Sequence, residues 1–387
     1  MSRRIAVLGA SGFVGSALCE RLFFEGSDEF VAVIHGSGRA GRIARLGIEL
    51  RVADLMKPDS IRKAIQGCEV VVNCAMGDHD AMTRGFRNLV RALRDVRPSK
   101  FIHLSSILIY GETPPAASVD EDAEPDPGRN EYGQTKLAQD RLVLGLHRGG
   151  VPSYILCPGN ITGPYSPFLR SLCERLVQGP LPLVDGGRYP SNLIHVDNLV
   201  EGILAAIRSG RGAGARYFVN ETRPVPWREL LEDLCVRMDV APTFVEVTRE
   251  AVLDRINAPQ RRAGLREHLR VAASDEFRRS MNRLPVVAAA NRLALGVFRR
   301  LSIENQESLR RRLRWPVQLE KRGTSAPLDE RFVKVQIRQH FHSPARLAQT
   351  LGWRPPLTYE EGLDVTTAWM RFAGVAPMGG RGGRDLA

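Results

Sequence analysis

The chain predicts an α/β fold: a doubly wound parallel sheet with helices on both faces, and a smaller, mostly helical C-terminal lobe. Three observations carry this. Short β-rich runs alternate with amphipathic helical stretches through the first half. A glycine-rich turn, Gly9-Ala10-Ser11-Gly12-Phe13-Val14-Gly15, follows the first run and opens the first helix. From about residue 244 the pattern changes to arginine-rich helical sequence without clear strands.

Residues 5–8, 30–34, 49–52, 70–74, 100–104 and 153–156 read as strands, being short, apolar and rich in β-branched side chains. Residues 16–24, 60–65, 85–94 and 131–147 read as the helices between them. Parallel strands need such crossovers, and burial on both faces makes them continuously apolar. Residues 120–129, rich in Asp, Glu, Pro and Gly, read as a loop into the fourth helix. Further helices are expected at 198–207 and 227–237, with a strand at 216–219 between them. Closing helices are expected at 341–353 and 359–372, around a Gly352-Trp353-Arg354-Pro355 turn. Residues 1–160 thus form a Rossmann-like dinucleotide-binding domain to which 190–220 return. Residues 161–189 and 221–376 form the substrate-binding lobe, and 377–387 read as a flexible tail.

Composition narrows the class. With 43% hydrophobic and 25% charged residues, the 387-residue chain reads as an ordinary soluble globular protein. No apolar run reaches the roughly 18 residues of a membrane span. The start runs directly into a strand, so no secretory segment is expected. The six cysteines form no Cys-x-x-Cys pair and read as reduced thiols of a cytoplasmic protein. His340 and His342 lack a nearby ligand cluster, so no metal is expected. Residues 251–335 carry nineteen Lys/Arg against nine Asp/Glu, while the rest of the chain is nearly balanced, at thirty-six against thirty-four. No nucleic-acid recognition motif accompanies these arginines. Anionic substrate phosphates or an anionic membrane surface are the partners left open. The apolar stretch 285–300, ending in Arg299-Arg300, would lie on such a surface or pack as a lid.

In the glycine turn, one glycine permits the bend and another lets the backbone approach a pyrophosphate, while the helix N-terminus supplies amides and a favourable dipole. The second strand ends Ile34-His35-Gly36, followed by Arg39 and Arg42. With no carboxylate for the ribose hydroxyls and bases for a 2′-phosphate, NADP(H) is expected, NAD being the alternative. Asp54-Leu55, after the third strand, would meet the adenine or simply cap the strand.

Tyr132-Gly133-Gln134-Thr135-Lys136 supplies the chemistry. Tyr132 and Lys136, four apart, share one helix face. An ammonium there is expected to lower the phenol from its usual value of about 10. A serine from the Ser105-Ser106 pair would hold the oxygen on which the tyrosine acts.

Together these residues resemble the extended short-chain dehydrogenase/reductase family, also called NAD-dependent epimerase/dehydratase. Further motifs are Asn73-Cys74-Ala75, Gly85-x-x-Asn88-Leu89, Tyr110-Gly111, Pro158-Gly159-Asn160, His195-Val196-Asp197-Asn198 and Ala345-Arg346 through Gly352-Trp353. Residues 251–335 do not match and read as an atypical basic insertion. The resemblance implies Ser106, Tyr132 and Lys136 as the catalytic set, with Lys136 also on the nicotinamide ribose. It implies a cofactor lying along Gly9, Ser11, Gly12, Phe13, Val14 and Gly15, with His35, Arg39, Asp54 and Leu55 towards its adenosine end. Cys74, Ala75, Met76, Pro158, Asn160 and Ile161 would flank its nicotinamide side. Substrate would meet Ser106, Tyr110, Asn160 and Arg188. A homodimer is likewise implied.

Departures from the pattern matter. Ile107 and Leu108 stand where family dehydratases and decarboxylases carry acids, and neither side chain transfers protons. The arginine that precedes the His-Val-Asp stretch in many nucleotide-sugar epimerases is missing, Arg188 being the nearest base. The expected function is oxidation, reduction or epimerisation at a secondary alcohol or ketone, of a nucleotide sugar by resemblance. A 3β-hydroxysteroid-dehydrogenase-like or other lipid-ketone reductase is the alternative, and a non-catalytic NADP-sensing protein is a third.

Overall fold

The computed structural model describes residues 3–36, 40–114, 120–257 and 330–374. Its sheet half runs β1 (Arg4–Leu8), α1 (Phe13–Glu25), β2 (Glu29–Ile34), α2 (Gly41–Ala44), β3 (Glu49–Val52), α3 (Pro58–Ile65), β4 (Val70–Asn73), α4 (Phe86–Val96), β5 (Lys100–Leu104), α5 (Glu131–Arg148) and β6 (Ser153–Pro158). The remainder runs β7 (Asn160–Thr162), α6 (Pro167–Gln178), β8 (Leu181–Val184), β9 (Leu193–His195), α7 (Val196–Arg208), β10 (Arg216–Val219), α8 (Trp227–Met238), β11 (Phe244–Val247), α9 (Arg249–Asn257), α10 (Glu330–Gln336), α11 (Ala345–Leu351) and α12 (Tyr359–Phe372).

Seven strands form one wholly parallel sheet in the order β3-β2-β1-β4-β5-β6-β10. β4 is buried along its whole length, as a strand covered on both faces must be. One face packs Leu18 and Leu22 of α1 against Leu199, Ile203 and Ile207 of α7. The other packs Ile61 and Ile65 of α3 with Leu89 and Leu93 of α4 and Val143 of α5. The doubly wound sheet expected from the alternation is therefore present.

Contacts divide the chain into two units, Met1–Val252 with Asp329–Ala387, and Leu253–Leu328. Nearly all of the second, including the stretch 285–300, lies outside the described residues, as do Arg39 and the tail 377–387. Two expectations need correction. Strands continue beyond residue 243, because β11 pairs in parallel with β8. The helix expected over 341–353 is only Ala345–Leu351, since Pro344 sets its start and His342 is held extended by Asn192.

Candidate active site

β1 and β4 are neighbours whose connections leave in opposite directions, so a crevice opens at their C-terminal ends. Gly9 lines it with φ +75°, and a Cβ there would stand 2.6 Å from the Ala75 Cα. A Cβ on Gly15, inside α1, would stand 2.3 Å from the Gly9 carbonyl oxygen. Both glycines are thus required by close backbone approach. Gly12 caps α1 without a side-chain hydrogen bond, and no acid lies in the first helical turn. Ser11 sits in this turn, while Phe13, Val14, Cys74 and Ile161 pack on the core around it. An uncapped, unopposed helix N-terminus behind a side-chain-free cradle fits a dinucleotide pyrophosphate.

Towards the expected adenosine end, His35 is exposed just beyond β2. Arg42, however, pairs through both nitrogens with Glu20 at 3.0 and 2.5 Å, and its guanidinium lies 4.2 Å from the Tyr165 ring. It is committed to those partners. Asp54 accepts the Met56 amide at 2.9 Å as a turn cap, the Leu55 carbonyl accepts Asn88, and Met76 is 76% exposed.

The catalytic candidates converge at the end of β5. Ser106 caps the short 3-10 turn Ile107–Tyr110, its Oγ accepting the Leu108 amide at 3.2 Å. The Lys136 ammonium donates to the Leu104 carbonyl at 2.8 Å and lies 5.9 Å from the centre of the Tyr132 ring. Gly133 makes the approach feasible, since a Cβ there would stand 2.4 Å from the Leu108 carbonyl oxygen. Asn130 caps α5 through the Gly133 amide and holds Glu112 at 2.9 Å. Lys136 is thus held at the end of β5, two residues before Ser106, with the Tyr132 ring next to its ammonium. Pro158 ends β6, and Asn160 is fixed by the Ser191 and Asn192 carbonyls at 2.7 Å each.

Three expectations change at this point. Tyr132 is not lowered by Lys136; burial, and then the Asp140 charge, push its phenol up to about 12. With 37% of the residue open to solvent, the upward direction matters here and not its size. Lys136 is itself pulled down to about 8 by burial. Tyr110, expected at the substrate, is buried, donates its hydroxyl to the Glu121 carbonyl and packs edge-on against Phe218. It fixes the turn after Ser106 instead. Arg188 is exposed and pairs locally with Asp185 and the Tyr189 hydroxyl, both at 3.1 Å.

Several polar residues escape sequence reasoning. Asn73, His103, Asp140 and Arg216 form a buried set beneath Lys136. Arg338 is 3% exposed, yet its Nε and Nη2 have no hydrogen-bond partner among the described residues. Burial pulls this guanidinium down to about 10, with Glu112 opposing. Its strand of chain is tied to Asn192 through the His340 carbonyl and the His342 amide. Only the helical spacing from Tyr132 to Asp140 was a usable signal; the others lie far apart in sequence. Among the described residues, no group of three His, Cys, Asp or Glu side chains is arranged to hold a metal, and no helix is long and apolar enough to cross a membrane.

The chain is 28% identical over 281 residues to a 4-hydroxy-2-methyl-3-oxo-4-farnesyl-3,4-dihydroquinoline-1-oxide ketoreductase of Stigmatella aurantiaca, covering 67% of this chain and 83% of that protein. It is 26% identical to a UDP-glucose 4-epimerase of Vibrio cholerae, over 63% of this chain and 78% of that one. Among solved structures, UDP-glucose 4-epimerase of Thermotoga maritima with UDP-glucose superposes with a TM-score of 0.64 at 17% identity, covering 96% and 99% of the two chains. That last likeness speaks for the fold alone. The family model for the NAD dependent epimerase/dehydratase family matches residues 5–219, more than half of the sequence, and the chain belongs to that family.

Proposed function

We propose that the enzyme moves hydride between a nicotinamide dinucleotide and the carbon of a secondary alcohol or ketone, with Tyr132 exchanging the proton on oxygen. The observation that carries this reading is that Lys136, tied to the end of β5 two residues before Ser106, holds its ammonium 5.9 Å from the centre of the Tyr132 ring. A bound nicotinamide supplies or takes the hydride; the chain supplies the rest. Because Ser106 Oγ accepts the Leu108 amide, its own O–H is left to donate to a substrate oxygen. A phenol protonated at neutral pH can deliver its proton to a carbonyl oxygen as hydride arrives on carbon. The Ile107 side chain is buried and carries no proton, which argues against dehydration. Replacing Tyr132 with Phe is expected to lower kcat/KM by roughly 10²–10⁴-fold while NADPH binding persists. Retention of more than about a tenth of turnover would overturn the assignment.

For the cofactor, β2 ends without a carboxylate, which favours NADP(H) over NAD; the Arg42–Glu20 pair leaves this preference to residues other than Arg42. Arg338 supports an anionic substrate. A buried guanidinium with two nitrogens unpartnered among the described residues is costly and gains most from an anion. Its segment adjoins Asn192, which holds Asn160, so a nucleotide sugar is the reading we favour. A reductase of apolar ketones is the second reading, favoured by the Stigmatella ketoreductase. Thermal shifts with UDP-sugars against a panel of apolar ketones separate the two. A homodimer and a cytoplasmic setting belong to the same proposal.

A further inference from the structure

Tyr132, Lys136 and Asp140 lie one turn apart in succession along α5, on one face of the helix. The first stands at the crevice and the last is fully buried. Asp140 is gripped by Arg216 of the edge strand β10, Nε to Oδ2 at 2.9 Å, an arginine whose side chain is itself only 13% exposed. The other carboxylate oxygen, Oδ1, faces His103 Nε2 of β5 at 3.9 Å, and the Ser105 hydroxyl stands beside the same carboxylate. The histidine's state follows from its far side. Asn73 uses its carbonyl oxygen on the Ala75 amide, so its NH₂ is turned to His103 Nδ1 at 3.2 Å. Nδ1 accepts, the proton sits on Nε2, and burial keeps this ring neutral. His103 therefore brings no charge to the carboxylate, only a dipole.

Lys136 is in a different position. It is 3% exposed, and its hydrogen bond among the described residues goes to a neutral carbonyl, that of Leu104. Around Asp140 stand Lys136 and Tyr132 on its own helix, Arg216 from β10, His103 and Ser105 from β5 and its end, Cys157 from β6, and Tyr110 from the 3-10 turn. Of these groups, Arg216 and Lys136 are cations, and Asp140 is the one carboxylate among them. A buried ammonium without a counter-charge discharges.

We propose that Asp140 is a positioning residue for the reaction, its carboxylate, anchored by Arg216, keeping the Lys136 ammonium charged inside the crevice wall beneath Tyr132. The proposal rests on the reading that Tyr132 and Lys136 do the chemistry, and it assigns a task to a group that touches neither substrate nor cofactor. Burial draws the lysine down and Asp140 is the largest influence opposing it. The same carboxylate raises the Tyr132 phenol, so its loss moves both groups in one direction.

The test reads Lys136 directly. Lysine 13Cε NMR, with the Lys136 signal assigned by its absence in Lys136→Met, is followed from about pH 6 to 10 in the wild type, Asp140→Asn, Asp140→Glu and Arg216→Gln. NADPH affinity is measured by fluorescence over the same range. Asp140→Asn is expected to move the Lys136 titration about one unit towards acid, and the fall in NADPH affinity with it. Arg216→Gln, which removes the cation that opposes the effect of burial on the Asp140 carboxyl and keeps it ionised, is expected to move it towards acid as well, and Asp140→Glu to keep it near the wild-type position. A merely structural pair predicts lost stability in Asp140→Asn and Arg216→Gln with the Lys136 titration unmoved, and that result overturns the proposal. Should Asp140→Asn not fold, the direction of the shift in Arg216→Gln decides the matter by itself. Turnover of Tyr132→Phe, measured alongside, tests the underlying reading separately: its failure leaves the lysine titration result standing as chemistry but removes the role in catalysis.

Discussion

The sheet half and the substrate lobe are held together in different ways. In the sheet half, backbone pairs with backbone through seven parallel strands, and side chains only fill the two faces. Where the lobe joins the sheet half, amide side chains substitute for strands. Asn198 donates to the Leu357 carbonyl at 3.0 Å and accepts its amide at 3.1 Å, as a neighbouring strand would. Asn192 does the same for His340 and His342, at 2.9 and 3.0 Å. Gln336 bridges the Pro182 carbonyl and the Val184 amide, and Asn220 takes the His342 carbonyl at 2.7 Å. These ties join positions about 120–160 apart in sequence. The sheet half is thus one continuous backbone-paired floor, whereas the lobe is tied to it by a few side-chain amides.

The sharpest way to break this contrast is at the floor. In Gly9→Val a β-branched side chain would have to adopt φ +75° and enter the Ala75 backbone. NADPH binding is expected to fall more than about 100-fold, with several kcal/mol of stability lost. If fluorescence titration shows NADPH bound within tenfold of wild type, the cradle is not where the pyrophosphate lies.

The lobe is tested next, through Asn198→Ala. Two part-buried backbone groups at Leu357 lose their partners, each costing up to about 1–3 kcal/mol. Urea unfolding should therefore show a loss of about 2–5 kcal/mol, and substrate KM should suffer more than NADPH affinity. An equal loss in both would mean that the two halves are not separable in this way.

The contrast also explains what could be read from the chain alone. β1, β4 and β5 are short apolar runs whose pattern is local, so periodicity finds them. β7, β8, β9 and β11 are three or four residues each and exist by virtue of partners far away; no window of sequence contains the reason. The same applies to the site. Ser106, Tyr132 and Lys136 carry their spacing with them, whereas Arg338 and Arg216 enter by folding. The Tyr132 pKa was misjudged because spacing reveals a neighbouring ammonium but not the burial and the Asp140 charge that outweigh it.

Glu221 sharpens the comparison through pH. It lies at the junction of the halves, accepting the His195 amide at 2.8 Å and lying 3.4 Å from Asn198. Burial pushes its carboxyl up to about 7. The folded chain therefore binds this proton where the unfolded chain has released it, and stability falls as pH rises from about 4.5 to 7, then levels. The shift corresponds to roughly 3 kcal/mol. Glu221→Gln should remove the slope, gaining on the wild type as pH rises; parallel stability curves for the two proteins would refute the buried-acid account.

The smallest effect separates amide ties from surface ion pairs that look equally good on distance. Arg223 reaches Glu229 at 2.6 Å and Glu360 at 2.7 Å, bridging α8 to α12 across the lobe, closer than any Asn198 contact. Its side chain is 43% exposed and that of Glu360 55%, so water and salt screen both pairs. Arg223→Ala is accordingly expected to cost less than about 1 kcal/mol, and to cost still less at 0.5 M NaCl than at low salt. The Arg223 guanidinium lies over the Tyr359 ring, 5.0 Å from its centre, and loss of that contact sets the portion of the effect that salt screens least. A loss as large as that of Asn198→Ala, insensitive to salt, would show that charge rather than amide pairing holds the lobe.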